Sequence, residues 1–175
     1  ITLKGVMRIP QKAFGNLPEG VAPWFNVVRL PDATIIEDEA FQGSTLTEIY
    51  APKVEEINFR AFSQCEKLGI VDMRKASRIK YWAFEGCGRL DRVRFGALSS
   101  VGQIDRDGRD GIFKNCKTEI IDLTLSSRQS MMQLRNTEEA TYKWVPAGES
   151  YWDTEDYTNK KFLGYTFAQI HRVDD

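Results

Sequence analysis

Residues 57–71 read INFRAFSQCEKLGIV, and residues 79–93 read IKYWAFEGCGRLDRV. Ile, Ala-Phe, Cys, Leu and Val recur at the same offsets, 22 positions apart. A pattern repeated at a fixed interval means that one packing problem is being solved again and again. The motif Phe falls at Phe14, Phe41, Phe62, Phe84 and Phe113, with gaps of 27, 21, 22 and 29. The core period is therefore about 22, with two expanded turns. Ile9, Ile36, Ile57 and Ile79 each stand five residues before a motif Phe. Ala13, Ala40, Ala61 and Ala83 precede it directly, and Ile112 takes that place beside Phe113.

A second apolar set follows each Phe. One turn carries Cys65, Leu68, Val71, Met73, Ala76 and Ile79; the next carries Cys87, Leu90, Val93, Phe95, Leu98 and Val101. The alternation of Val71-x-Met73 and Val93-x-Phe95 is that of a strand with one buried face. A strand of about four residues, a turn, an Ile and a tight Ala-Phe-x-x-Cys corner make one coil. One coil cannot bury its apolar face alone, whereas stacked coils share a continuous core with parallel strands about 4.8 Å apart. The pattern reaches back through Phe25, Val28, Leu30, Ala33 and Ile36 to Ile1, Leu3, Val6 and Ile9. Further coils are therefore expected upstream.

The unit L-x-x-V-x-(apolar)-x-x-(apolar)-x-x-I-x-x-x-A-F-x-x-C, clearest from Leu68 to Cys87, resembles the BspA-like type of bacterial leucine-rich repeat. The resemblance covers residues 1–125. Phe14 is followed by the insertion GNLPEGVAPW, and Ser44 stands in the Cys position of the next turn. The stretch TYKWVPAGESYWDTEDYTNKKFLGYTFAQI is similar to the closing segment of such domains. The resemblance implies a right-handed leucine-rich-repeat solenoid of five to six coils, with short parallel strands and turn or 3-10 corners. It also implies a C-terminal cap over 126–175, packed on the last coil of the same domain. By the same resemblance the protein is bacterial, extracellular or on the cell surface, and serves adhesion or recognition.

Composition sets the outer bounds. The 175 residues fit one domain with a sizeable core. A net charge of −1 with mixed signs gives no bulk attraction to nucleic acid. No apolar run approaches the ~18–20 residues needed to cross a bilayer, so membrane insertion is not expected. No G-x-S-x-G, H-E-x-x-H or glycine-rich phosphate loop is present, no cofactor is implied, and catalysis has no sequence support. Three cysteines, Cys65, Cys87 and Cys116, cannot make a closed disulfide framework. They share one repeat position and read as a ladder of small buried thiols, although neighbouring coils place Cys65 and Cys87 within disulfide reach. The single His171 reads as an exposed residue of the final strand.

The strand face supplies the candidate binding residues. With Val28, Ile49, Val71, Val93 and Ile121 inward, Arg29, Tyr50, Asp72, Arg94 and Asp122 form an outward row. Val27, Glu48, Ile70, Arg92 and Ile120 flank it. The binding candidates are thus Arg29, Glu48, Tyr50, Asp72, Arg92, Arg94 and Asp122, since Tyr, Arg and aliphatics typify protein interfaces. The strand face of a curved solenoid is its usual concave binding surface. Trp24, at a loop tip, and Trp152, in the cap, are secondary candidates. Asp105, Asp107 and Asp110 offer oxygen ligands for calcium, but an EF-hand loop has an oxygen ligand at its fifth position and Glu at its twelfth, where this chain has Arg109 and Cys116. No metal site is therefore expected. The leading expectation is non-catalytic binding of a protein or glycan. A structural spacer that displays another domain comes second, and an enzyme third.

Overall fold

The computed structural model of the chain describes residues 1–15, 25–102, 111–128, 133–136, 141–145, 161–162 and 165–174. In chain order the strands begin with β1 (Arg8–Ile9), β2 (Val27–Arg29), β3 (Ile35–Ile36), β4 (Glu48–Tyr50) and β5 (Glu56–Ile57). They continue with β6 (Ile70–Asp72), β7 (Arg78–Ile79), β8 (Arg92–Arg94), β9 (Ser100–Gly102) and β10 (Asp122–Ser126). The last five are β11 (Gln133–Asn136), β12 (Thr141–Val145), β13 (Lys161–Phe162), β14 (Tyr165–Thr166) and β15 (Gln169–Val173). A 3-10 turn, Thr118–Ile120, is the one helical element among the described residues.

Each coil gives one strand to each of two parallel sheets, not the single strand of about four residues expected from the pattern. The strands of three residues, β2, β4, β6 and β8, pair side by side and continue into β10. The strands of two residues, β1, β3, β5 and β7, make the second ladder, which continues into β9. The second sheet is built on Ile9, Ile36, Ile57 and Ile79, each at most 1% exposed. A strand of two residues shows one inward side chain, so no alternation marks it in the sequence.

The Ala-Phe corners form a third backbone ladder. The amides of Phe14, Phe41, Phe62 and Phe84 donate to the carbonyls of Ala40, Ala61, Ala83 and Ile112 at 2.7–2.9 Å. The corner turns through left-handed residues spaced four apart: Glu39 (φ 57°) and Gly43 (φ 67°), Arg60 (φ 52°) and Gln64 (φ 60°), Trp82 (φ 60°) and Gly86 (φ 69°). Non-glycine residues rarely adopt that conformation, and the hydrogen bonds from coil to coil hold it here. Inside the corners the rings stack. Phe41 lies 5.2 Å from Phe62, and Phe62 lies 5.2 Å from Phe84, each pair within 4° of parallel.

The segment expected to close the solenoid adds strands to both sheets. β12 pairs antiparallel with β9, and β11 pairs antiparallel with β12. β15 joins the edge of the other sheet parallel to β10, giving the order β15-β10-β8-β6-β4-β2. Strand β10 itself runs across the expected boundary at residue 125. Phe162, Tyr165 and Phe167 are buried in the core, and the last two meet Phe113 edge-on at 5.9 and 5.8 Å.

Candidate functional site

The outer face of the six-stranded sheet carries the candidate residues because each three-residue strand buries its middle residue and β10 buries Leu123. Val28, Ile49, Val71, Val93 and Leu123 stand in register and are at most 1% exposed. The side chains on either side of each therefore face outward. One outward row is Arg29, Tyr50, Asp72, Arg94, Thr124 and His171. The other is Val27, Glu48, Ile70, Arg92, Asp122 and Gln169.

This corrects the register expected after Phe113. Ile121 is buried, but Leu123 is the partner of Val93, and Asp122 stands opposite Arg92, not Arg94. The cause is the 3-10 turn Thr118–Ile120, which follows Cys116 and delays the strand. Three residues escaped the sequence reading of the face: Thr124, His171 and Gln169, the last arriving with His171 on β15. Thr124 was hidden by that slip, and its signal is the inward alternation of Leu123 and Leu125. His171 comes to the face through the pairing of β15 with β10, a contact between segments far apart in the chain that no local pattern announces.

Tyr50, Asp72, Arg92, Arg94 and Asp122 surround a depression of about 400 Å³, together with Thr124 and His171. Ile70 supplies an apolar wall. Arg29 and Glu48 lie outside the depression but fix Tyr50. The Arg29 guanidinium sits 5.1 Å from the Tyr50 ring centre, and the Tyr50 hydroxyl donates to Glu48 Oε2 at 2.8 Å. That hydrogen bond raises the pKa of Tyr50, because ionisation would set two negative oxygens against each other. No hydrogen bond joins His171 to Asp122 or Thr124 among the described residues.

Asp72 is already engaged. Arg74 Nε donates to its Oδ1 at 3.0 Å, and Nη2 donates to Oδ2 at 2.9 Å. The same bidentate bond raises the pKa of Arg74 further. Arg92 meets Asp91 at 3.5 Å with both side chains about two-thirds exposed, a weak surface pair. Arg94 is half-buried and has no carboxylate partner among the described residues. It also lines a second depression of about 710 Å³, with Glu55, Arg74, Lys75, Arg128 and Asp174.

The cysteines are free thiols, with Cys65 and Cys87 buried and Cys116 half-buried. Their sulfurs donate to the carbonyls of Phe41, Phe62 and Phe84 at 3.0–3.1 Å. Each carbonyl belongs to the coil before. Burial pushes the Cys87 thiol well up and the Cys116 thiol to about 12. No group of three His, Cys, Asp or Glu able to hold a metal occurs among the described residues. Trp24, Trp152, Asp105, Asp107 and Asp110 lie outside the described residues. No helix among the described residues is long and apolar enough to cross a membrane.

No curated protein and no solved structure matches the chain. Residues 34–133 match the BspA type leucine rich repeat region, in 6 copies. That span begins just before β3 and runs to the start of β11, so it takes in β3 to β10 and most of the outward face just described. The chain belongs to the BspA-type leucine-rich-repeat family.

Proposed function

We propose that the chain is a non-catalytic recognition and adhesion module of a bacterial surface or secreted protein, binding a protein or glycan through the outer face of its six-stranded sheet. The observation that carries this reading is the depression between β4 and β15, where five of the seven strand-face candidates converge with Thr124 and His171. Repetition sets such residues side by side at the strand spacing, so a rigid platform is available without any cost of ordering loops. Membership of a repeat family that works by protein interaction supports it.

A spacer is the second reading, and the intrachain pairs Tyr50–Glu48 and Arg74–Asp72 favour it, because they satisfy polar groups that a ligand would otherwise use. A glycan and host-protein array separates the two. The wild type is compared with a Tyr50→Ala/Arg94→Ala double variant and with Thr124→Trp, which fills the depression and leaves every charge in place. Binding lost in both variants is the expected result. Binding retained by both moves the site elsewhere, and no binding by the wild type favours the spacer.

A further inference from the structure

We propose that the ligand of this face is an extended protein segment with carboxylates at alternate positions, anchored on Arg94; the inference rests on the reading of the face as a recognition surface. Arg94 lines both depressions, about 400 and 710 Å³. Its register neighbours are Asp72 and Thr124. Asp72 has both oxygens on Arg74, and Thr124 carries no charge. Arg94 is half-buried and makes no ion pair among the described residues, so its guanidinium is open to an incoming anion. Its fork of N–H donors matches a carboxylate.

The spacing of the neighbouring cations points to a peptide. Arg92 and Arg94 project from one strand two residues apart, roughly 6.6 Å, which is the spacing of alternate side chains in an extended peptide. Arg92 is held only by the exposed contact to Asp91, which an incoming carboxylate displaces at little cost. Lys75 continues the series in the larger depression and makes no ion pair among the described residues. Glu55, Asp122 and Asp174 line the same depressions. A polymer charged at every unit is therefore repelled along part of its length.

The test is fluorescence anisotropy with a labelled peptide of alternating Glu and Ser, beside Gln-Ser and Lys-Ser peptides and polygalacturonate. Wild type, Arg94→Ala, Arg94→Lys and Thr124→Trp are titrated after circular dichroism shows each folded. Saturable binding of the Glu-Ser peptide, weakened by salt, is expected, with at least a tenfold loss in Arg94→Ala and partial recovery in Arg94→Lys. Equal binding of the Gln-Ser peptide, full binding by Arg94→Ala, preference for polygalacturonate, or no binding of the Glu-Ser peptide each overturns the proposal. Array ligands lost in Thr124→Trp but kept in Arg94→Ala leave the recognition surface standing and overturn the carboxylate anchor alone.

Discussion

Asp72 and Arg94 stand opposite each other on neighbouring strands, yet the carboxylate of Asp72 turns to Arg74 on its own chain segment, 2.9 Å away. The choice leaves Arg94 open. Removing Arg74 reverses it. In Arg74→Ala the freed carboxylate of Asp72 swings to Arg94 and competes with any incoming anion. The Arg74 side chain is 55% exposed, so the lost pair itself costs under ~1 kcal/mol of stability. Urea unfolding should show that small change, while titration with the Glu-Ser peptide should show binding weakened several-fold. Unchanged peptide affinity in this variant refutes the competition.

The stacked Phe rings carry much of the core. Phe62 is fully buried between Phe41 and Phe84, with ring centres 5.2 Å away on both sides. Truncation to Ala leaves a cavity that rings locked by the corner ladder cannot fill. Phe62→Ala should cost ~3–5 kcal/mol in urea unfolding. Phe14, half-buried and stacked on Phe41 at 5.1 Å, should cost clearly less when truncated. Equal losses at the two positions contradict a core that is tightest in the central coils.

Residues 57–101 are the part of the fold most legible in the sequence, for a physical reason. Phe62 and Phe84, Cys65 and Cys87, and Val71 and Val93 each face one interior position of successive coils, so residue type records location directly. The second sheet left a fainter trace, since β5 and β7 each show only one inward residue. Where the spacing changed, the reading slipped. The turn at Thr118–Ile120 moved the inward position from Ile121 to Leu123, and with it the partner of Asp122. The face was readable as far as Arg94 because each outward residue neighbours an inward one. His171 was not, because its place depends on β15 finding β10.

Cys116 gives the protein a testable sensitivity to alkali. Burial lifts its thiol to about 12, against about 8.5 for an unfolded cysteine. The unfolded chain therefore releases this proton first as pH rises. The stabilisation is fully present below pH ~8.5 and falls by ~1.4 kcal/mol per pH unit until the folded thiol titrates near 12. Between pH 8 and 10 the wild type should lose up to ~2 kcal/mol more than Cys116→Ser, measured as the difference in urea unfolding at each pH. Ser is a fair replacement, because Ser44 holds the equivalent place in an earlier coil, 3.4 Å from Cys65. Parallel pH profiles for the two proteins refute the assignment. In the native state at pH 8 a thiol reagent should label Cys87 and Cys116 only slowly, and denaturant should release all three thiols.

Gly102 ends β9 with the backbone of the preceding coil close against it. A Cβ built there lies 1.9 Å from the backbone nitrogen of Tyr81 and 2.1 Å from its Cα. Backbone cannot yield as a flexible side chain does, so Gly102→Ala must push β9 away from β7 and strain the pairing of Ile79 with Val101. The expected loss is at least ~3 kcal/mol, at the upper end for overpacking. Gly69→Ala is the matched control. Its nearest neighbour would be the carbonyl oxygen of Arg89 at 3.6 Å, an ordinary contact. That variant should stay within ~1 kcal/mol of the wild type. Thermal melts of the two variants side by side decide the matter: similar midpoints would mean that β7 and β9 have room to separate, and that the second sheet is looser than its register implies.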